Sequence, residues 1–144
     1  YTRANRVVYG GGGITPDLHI PWHLELNKAS RLLLNNAKRP LFNWGAKFLS
    51  EHKDDLSDYH SFQIDWTLSD QQFESFVSYL KTEQISFDSL AVEEDKDYLK
   101  NMLKAEIAGA NWGHDEELGI RRMFDNQVMS ALEHFSEAEF FINN

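Results

Sequence analysis

Cysteine is absent from this chain of 144 residues. That removes disulfides, thiolate zinc sites and a cysteine nucleophile in one step. Positive charge is in the minority: Lys and Arg number 14 against 23 Asp and Glu, a formal net charge of −9. An acidic chain repels phosphate backbones, which argues against nucleic-acid binding. The same repulsion argues against an anionic membrane surface. No apolar run approaches the roughly 18 residues that a membrane span needs, and no secretory signal pattern is visible. No internal repeat, low-complexity tract or linker rich in proline or serine divides the chain.

What is present suffices for a core. The length and the mass of 16.7 kDa fit one domain. Folding at this size buries roughly two thirds of the surface of the unfolded chain. Aromatic residues make up 13 % of the sequence, so the core is expected to rest on Phe and Trp. Residue 1 is Tyr1 rather than methionine, and β-favouring residues follow at once. The chain is therefore expected to be a piece of a longer protein.

The first twenty residues differ in kind from the rest. Arg6, Val7, Val8 and Tyr9 favour a strand, and Leu18, His19 and Ile20 alternate as a second one would. Between them Gly10, Gly11, Gly12 and Gly13 mark a tight loop or a close backbone approach. From about Asn27 the period becomes helical. A short helix runs to Asn35-Asn36, and Pro40 suits the first turn of the next, with Leu41, Trp44, Phe48 and Leu49 on one face. Glu51 to His60 reads as a charged loop, and the alternation of Phe62, Ile64 and Trp66 as a short extended stretch.

Ser69 and Gln72 form a capping-box pattern ahead of Phe73, Phe76, Val77 and Leu80. Ile85 and Phe87 are expected to re-enter the core from a connection. One helix is expected from about Leu90 to Ala110, with Tyr98, Leu99, Met102, Leu103, Ile107 and Ala110 inward and Gly113 as a left-handed cap. Another is expected from about Glu116 to Phe135, carrying Ile120, Phe124, Val128, Ala131, Leu132 and Phe135 on one stripe. Ser136 and Glu139 repeat the capping pattern before a short tail. The expected fold is mainly α. A bundle of about five or six helices, residues 24–144, is preceded by a strand–Gly loop–strand remnant, residues 1–23.

Chemistry is weakly marked. A phosphate-binding loop needs a helix directly behind its glycines and a closing Lys-Ser or Lys-Thr pair, and neither follows Gly13. His19 and His23 stand four apart, but Pro21 places them in extended chain. His52, Asp55 and His60, with Asp54 and Asp58 between, are weak candidates for a cation site. No Gly-x-Ser-x-Gly elbow occurs. The acids at Glu93–Asp97 and Asp115–Glu117 suit helix starts. The residues alone describe an acidic, mainly helical, non-catalytic domain without a cofactor, with a β segment that expects a partner sheet.

Arg6-Val7-Val8-Tyr9-Gly10-Gly11-Gly12-Gly13-Ile14-Thr15-Pro16-Asp17 resembles the end of the catalytic core in C-terminal processing peptidases, the tail-specific proteases. Lys104-Ala105, Ile107-Ala108, Asn111-Trp112-Gly113, Asp125, Val128 and Ala131-Leu132 are similar to the helical extension of some members. The resemblance implies a serine peptidase with a Ser–Lys dyad, a PDZ domain that binds substrate C-termini, and a periplasmic or cell-envelope setting. The family's serine and lysine motifs precede the glycine run, so no catalytic residue carries over to this chain. The implied part is a C-terminal helical domain that caps the core, assembles subunits, including as a homodimer, or shapes substrate access. Its implied partners are the peptidase core, the PDZ domain and the peptide or protein substrates. An acidic protein-docking module and a metal-binding domain built on residues 52–60 are the alternatives.

Overall fold

A computed structural model describes residues 18–22 and 25–137, the side chain at position 54 excepted. Contacts along the chain define two compact units. One is Leu24–Phe124; the other joins Tyr1–His23 with Asp125–Asn144. Among the described residues all regular structure is helical, as the periodicity implies, and there is no strand.

The first unit holds α1 (Lys28–Leu34), α2 (Pro40–His52), a 3-10 turn (Lys53–Asp55), α3 (Tyr59–Ile64), α4 (Asp70–Thr82), α5 (Ser89–Glu94), α6 (Lys96–Asn111) and α7 (His114–Met123). Its centre is α6, which packs most extensively on α2 and α7. Leu99, Leu103, Ile107 and Ala108 are fully buried there, and Phe73, Phe76 and Leu80 of α4 close the core. Ile85 and Phe87 do return to this core from the α4–α5 connection.

Local signals set several helix starts. Ser69 Oγ accepts the Gln72 N–H, and Gln72 Oε1 accepts the Ser69 N–H at 2.8 Å, which completes the capping box of α4. Pro40 opens α2 as expected. Asp88 accepts the N–H groups of Leu90 and Ala91 and starts α5.

Five expectations are corrected in this unit. The alternation at Phe62, Ile64 and Trp66 is not extended: Asp58 accepts the Ser61 N–H at 2.7 Å and nucleates α3, which buries Phe62 and leaves Ile64 exposed. The charged segment from Glu51 is not all loop, because α2 continues to His52 and a 3-10 turn follows. The helix expected over Leu90–Ala110 breaks at Asp95, which ends α5 and begins α6. There its carboxylate accepts the Asn27 N–H at 2.9 Å. At the far end of α6 Ala110 is exposed rather than inward. Gly113 has φ +129° and ψ −179°, a conformation for glycine but not the left-handed cap; it starts α7 instead of closing α6.

In the second unit, α8 is Asn126–Glu133. The single helix expected from Glu116 to Phe135 is thus two, because Asp125 accepts the N–H groups of Gln127 and Val128 and starts a new one. None of the residues of α8 is buried, and Leu132 and Phe135 are exposed. Leu18–Ile20 forms no strand. The Ile20 and Pro21 carbonyls accept from the side-chain amides of Gln127 and Asn126 at 2.8 and 2.9 Å, which occupies acceptors a ladder would use. The expected strand at Val7–Tyr9, the glycine loop and the tail beyond position 137, including Glu139 of the second capping pattern, lie outside the described residues.

Candidate functional site

An open groove of about 560 Å³ lies between α2 and α4. Its floor begins with a ladder of rings at helical spacing on α2. Trp44 stacks on Phe48 at 5.2 Å between centroids, and Phe48 stacks on His52 at 4.2 Å. The Phe48 carbonyl accepts from His52 Nδ1 at 2.9 Å, so that nitrogen carries a proton. Trp44 meets Phe76 of α4 edge-on at 5.8 Å, which fixes the base of the groove. The α4 wall presents Gln71, Ser75, Ser78 and Thr82, residues one helical face apart. Tyr79 lies beside them, its hydroxyl pushed above the usual tyrosine value by burial and by Glu83. Lys47 and Glu51 stand on the α2 rim and Glu83 at the end of α4.

A second feature is a buried lysine. Lys104 is 5 % exposed. Its Nζ donates to the Gln63 carbonyl at 2.9 Å and stands 5.5 Å from the Phe62 ring centroid. Burial pulls this ammonium below the usual lysine range, against the opposing pull of Asp65. The other helical-block residues surround the same corner. Ala105 is fully buried, and Trp112 meets Tyr59 at 5.5 Å and Phe62 at 5.0 Å. Asn111 donates to the Leu56 carbonyl at 2.9 Å. Lys104, Asn111 and Trp112 thus seat α3 and the residue after the 3-10 turn against the C-terminal half of α6, while Ala105 is core and Gly113 starts α7. Asp125 belongs to the other unit, where it caps α8.

A third cluster escaped sequence reasoning. Arg121 of α7 donates from Nε to Glu117 at 2.8 Å and from Nη2 to Glu106 of α6 at 2.9 Å. Burial raises the Glu106 carboxyl above the usual value, while Arg121 opposes that rise. The Glu117–Arg121 spacing of four was the available signal. Its reach to Glu106 depends on the α6–α7 crossing. A cavity of about 290 Å³ opens beside it, walled by Arg39, Phe42 and Tyr98. Arg39 takes φ 47°, ψ 56° immediately before Pro40, and its guanidinium lies 4.2 Å from the Phe42 ring centroid.

The other predicted positions are not assembled into a site. Arg6, Gly10, Gly11, Gly12, Gly13, Ile14, Pro16 and Asp17 lie outside the described residues. Among the described residues no three His, Asp or Glu side chains are placed to hold a metal ion. His52 is turned into its own helix by the Phe48 carbonyl, and Asp58 is committed to the Ser61 N–H. Asp55 and His60 are exposed and join no such group.

The chain belongs to a family of unknown function (DUF8443), whose match spans residues 34–113. That span takes in the α2–α4 groove and the Lys104 corner and ends at Gly113. No curated protein and no solved structure matches the chain.

Proposed function

We propose that this chain is the non-catalytic C-terminal helical domain of a periplasmic or cell-envelope serine endopeptidase of the tail-specific type. One observation carries the reading: the run from Arg6 to Asp17, which resembles the end of such a peptidase core, stands directly ahead of the helical unit. In this reading the serine nucleophile and its lysine base belong to the core that precedes the glycine run. The helical domain caps that core, joins subunits or shapes access for substrate chains. The inward packing of Lys104, Ala105 and Trp112 supports a scaffolding part for the helical block. The net charge of −9 favours protein partners over nucleic acid.

The test compares two proteins: this chain alone, and this chain continuous with the segment encoded immediately ahead of Tyr1. The longer protein is expected to cleave peptides, and a serine-to-alanine change in its core is expected to abolish cleavage. The chain alone is expected to show no turnover above buffer. Turnover by the chain alone, or an upstream segment without a Ser–Lys core, overturns the reading.

A protein-docking module is the second reading, favoured by the open α2–α4 groove. Specific crosslinking to a foreign protein, without affinity for the upstream core, distinguishes it.

A further inference from the structure

We propose that the α2–α4 groove binds an extended, net-basic polypeptide segment, the substrate chain of the parent peptidase. The source of that segment rests on the function proposed above; the binding chemistry rests on the groove. Three properties of the lining point to this ligand class.

The first is polarity without charge. Gln71, Ser75 and Ser78 can each donate and accept a hydrogen bond, as can every peptide unit of an extended chain, while Thr82, whose hydroxyl donates to the Ser78 carbonyl at 3.1 Å, can accept one. A phosphate or free carboxylate would need an excess of cations, and the groove sets one lysine, Lys47, against Glu51 and Glu83. With the whole chain at −9, the field at the groove favours positive ligands.

The second is size. From Gln71 to Thr82 the helix rises about 16 Å, the reach of about five residues of extended chain. The volume of about 560 Å³ lies within the common range for binding clefts. Ser75 and Ser78 sit midway along the wall, where their short side chains leave the groove open.

The third is a rigid apolar floor. Trp44 and Phe48 line the groove but are only 3 % and 6 % exposed and locked by ring stacking, so an apolar ligand side chain meets a narrow apolar edge that need not reorganise on binding. The groove thus offers amide partners along one wall, apolar contact below and negative charge at the rim.

The experiment uses the full chain and fluorescence anisotropy. The probe is a labelled eight-residue peptide alternating Lys with Leu and Ala, beside a counterpart with Glu in place of Lys. The basic peptide is expected to bind saturably, and the acidic one at least tenfold more weakly. Ser78→Trp fills the groove without altering charge and is expected to weaken the basic peptide at least tenfold. Ser78 is exposed, so the melting temperature should stay unchanged; Ser75→Arg is the second plug should it move.

Glu74→Arg, exposed on α4 and not part of the groove lining, is the charge control and should leave affinity within about twofold. The proposal is overturned by absence of binding to either peptide, by equal weakening in Glu74→Arg and Ser78→Trp, or by a gain of peptide helicity on binding. The two readings fail separately. A chain that binds and also hydrolyses the peptide sinks the peptidase-domain reading and keeps the groove; a chain that does neither sinks the groove alone.

Discussion

Lys104 Nζ donates to the Gln63 carbonyl across 2.9 Å, so an ammonium on α6 closes the last turn of α3. The carbonyl end of a helix attracts positive charge, and Lys104 is only 5 % exposed, with the Phe62 ring centroid 5.5 Å from its Nζ.

Lys104→Met keeps the apolar stem and removes the donor. It is expected to cost about 1–2 kcal/mol, the loss of a buried carbonyl's partner less the relief of not burying a charge. Urea denaturation at pH 7 checks this. The lysine is lowered in the folded state, so the unfolded chain holds more protons between that lowered value and the ordinary 10.5. Its contribution to stability therefore rises with pH across that window, and the gap between wild type and Lys104→Met should widen there. Burial raises Tyr59, Tyr79 and Tyr98, which act in the opposite sense as pH passes 10, so the comparison must be with the variant at each pH.

Gly119 holds open the place of the Tyr59 hydroxyl. A Cβ at 119 would collide with that oxygen, which is bound to the Glu116 carbonyl at 3.0 Å while the ring rests on Trp112. Gly119→Ala is expected to destabilise by about 1–3 kcal/mol despite better helix propensity. In a Tyr59→Phe background the obstacle is gone, and the same change should be neutral or stabilising by about 0.5–1 kcal/mol. Thermal unfolding of the four proteins in the cycle reads the coupling directly.

The capping box of α4 gives a simpler test. Ser69→Ala is expected to cost about 1 kcal/mol, and Ser69→Asp only a few tenths. Equal losses for both would mean that the α4 start is held by packing rather than by its cap. Chemical denaturation followed by tryptophan fluorescence is the measurement.

Acid should act in two stages. Asp58 is held below the ordinary 3.8 by the Ser61 N–H, and Asp70 by Lys100 and then Lys96. Lowered carboxyls stabilise the fold above 3.8 and lose that effect as pH falls through their folded-state values. Glu106, raised from 4.5 by burial, works the other way and is relieved first as pH falls towards 4.5. Stability is thus expected to hold or rise slightly down to pH 4.5 and to decline below about 3.8. Asp58→Asn with Asp70→Asn keeps the α3 cap and should flatten the decline, as read by denaturation at stepped pH.

Caps and apolar spacing were legible because they are local. Ser69 with Gln72, Pro40, and Leu41 with Trp44 and Phe48 each speak within one or two turns. The break at Asp95 was not, because the apolar spacing on either side runs on through it and the group that engages its carboxylate is Asn27. Phe62, Ile64 and Trp66 misled for the opposite reason: a two-residue alternation outvoted the nearby cap at Asp58. The groove depends on how far α2 and α4 diverge, and the Arg121 cluster on where α6 crosses α7. Neither angle is written in any single stretch of sequence. Lys104 was visible as part of a helical block, but its burial against Gln63 needed α3 in place.

The bond from Asn27 N–H to Asp95 spans 68 positions. α1 has only seven residues and makes no side-chain cap bond of its own, too short to persist in water. Its first turn borrows an acceptor from the junction of two helices that are synthesised much later. In the order of folding, α1 is therefore expected to consolidate only once α5 and α6 have docked. Its amides should exchange with solvent sooner than those of α6. The start of the helical unit is thus held by an acceptor from its middle.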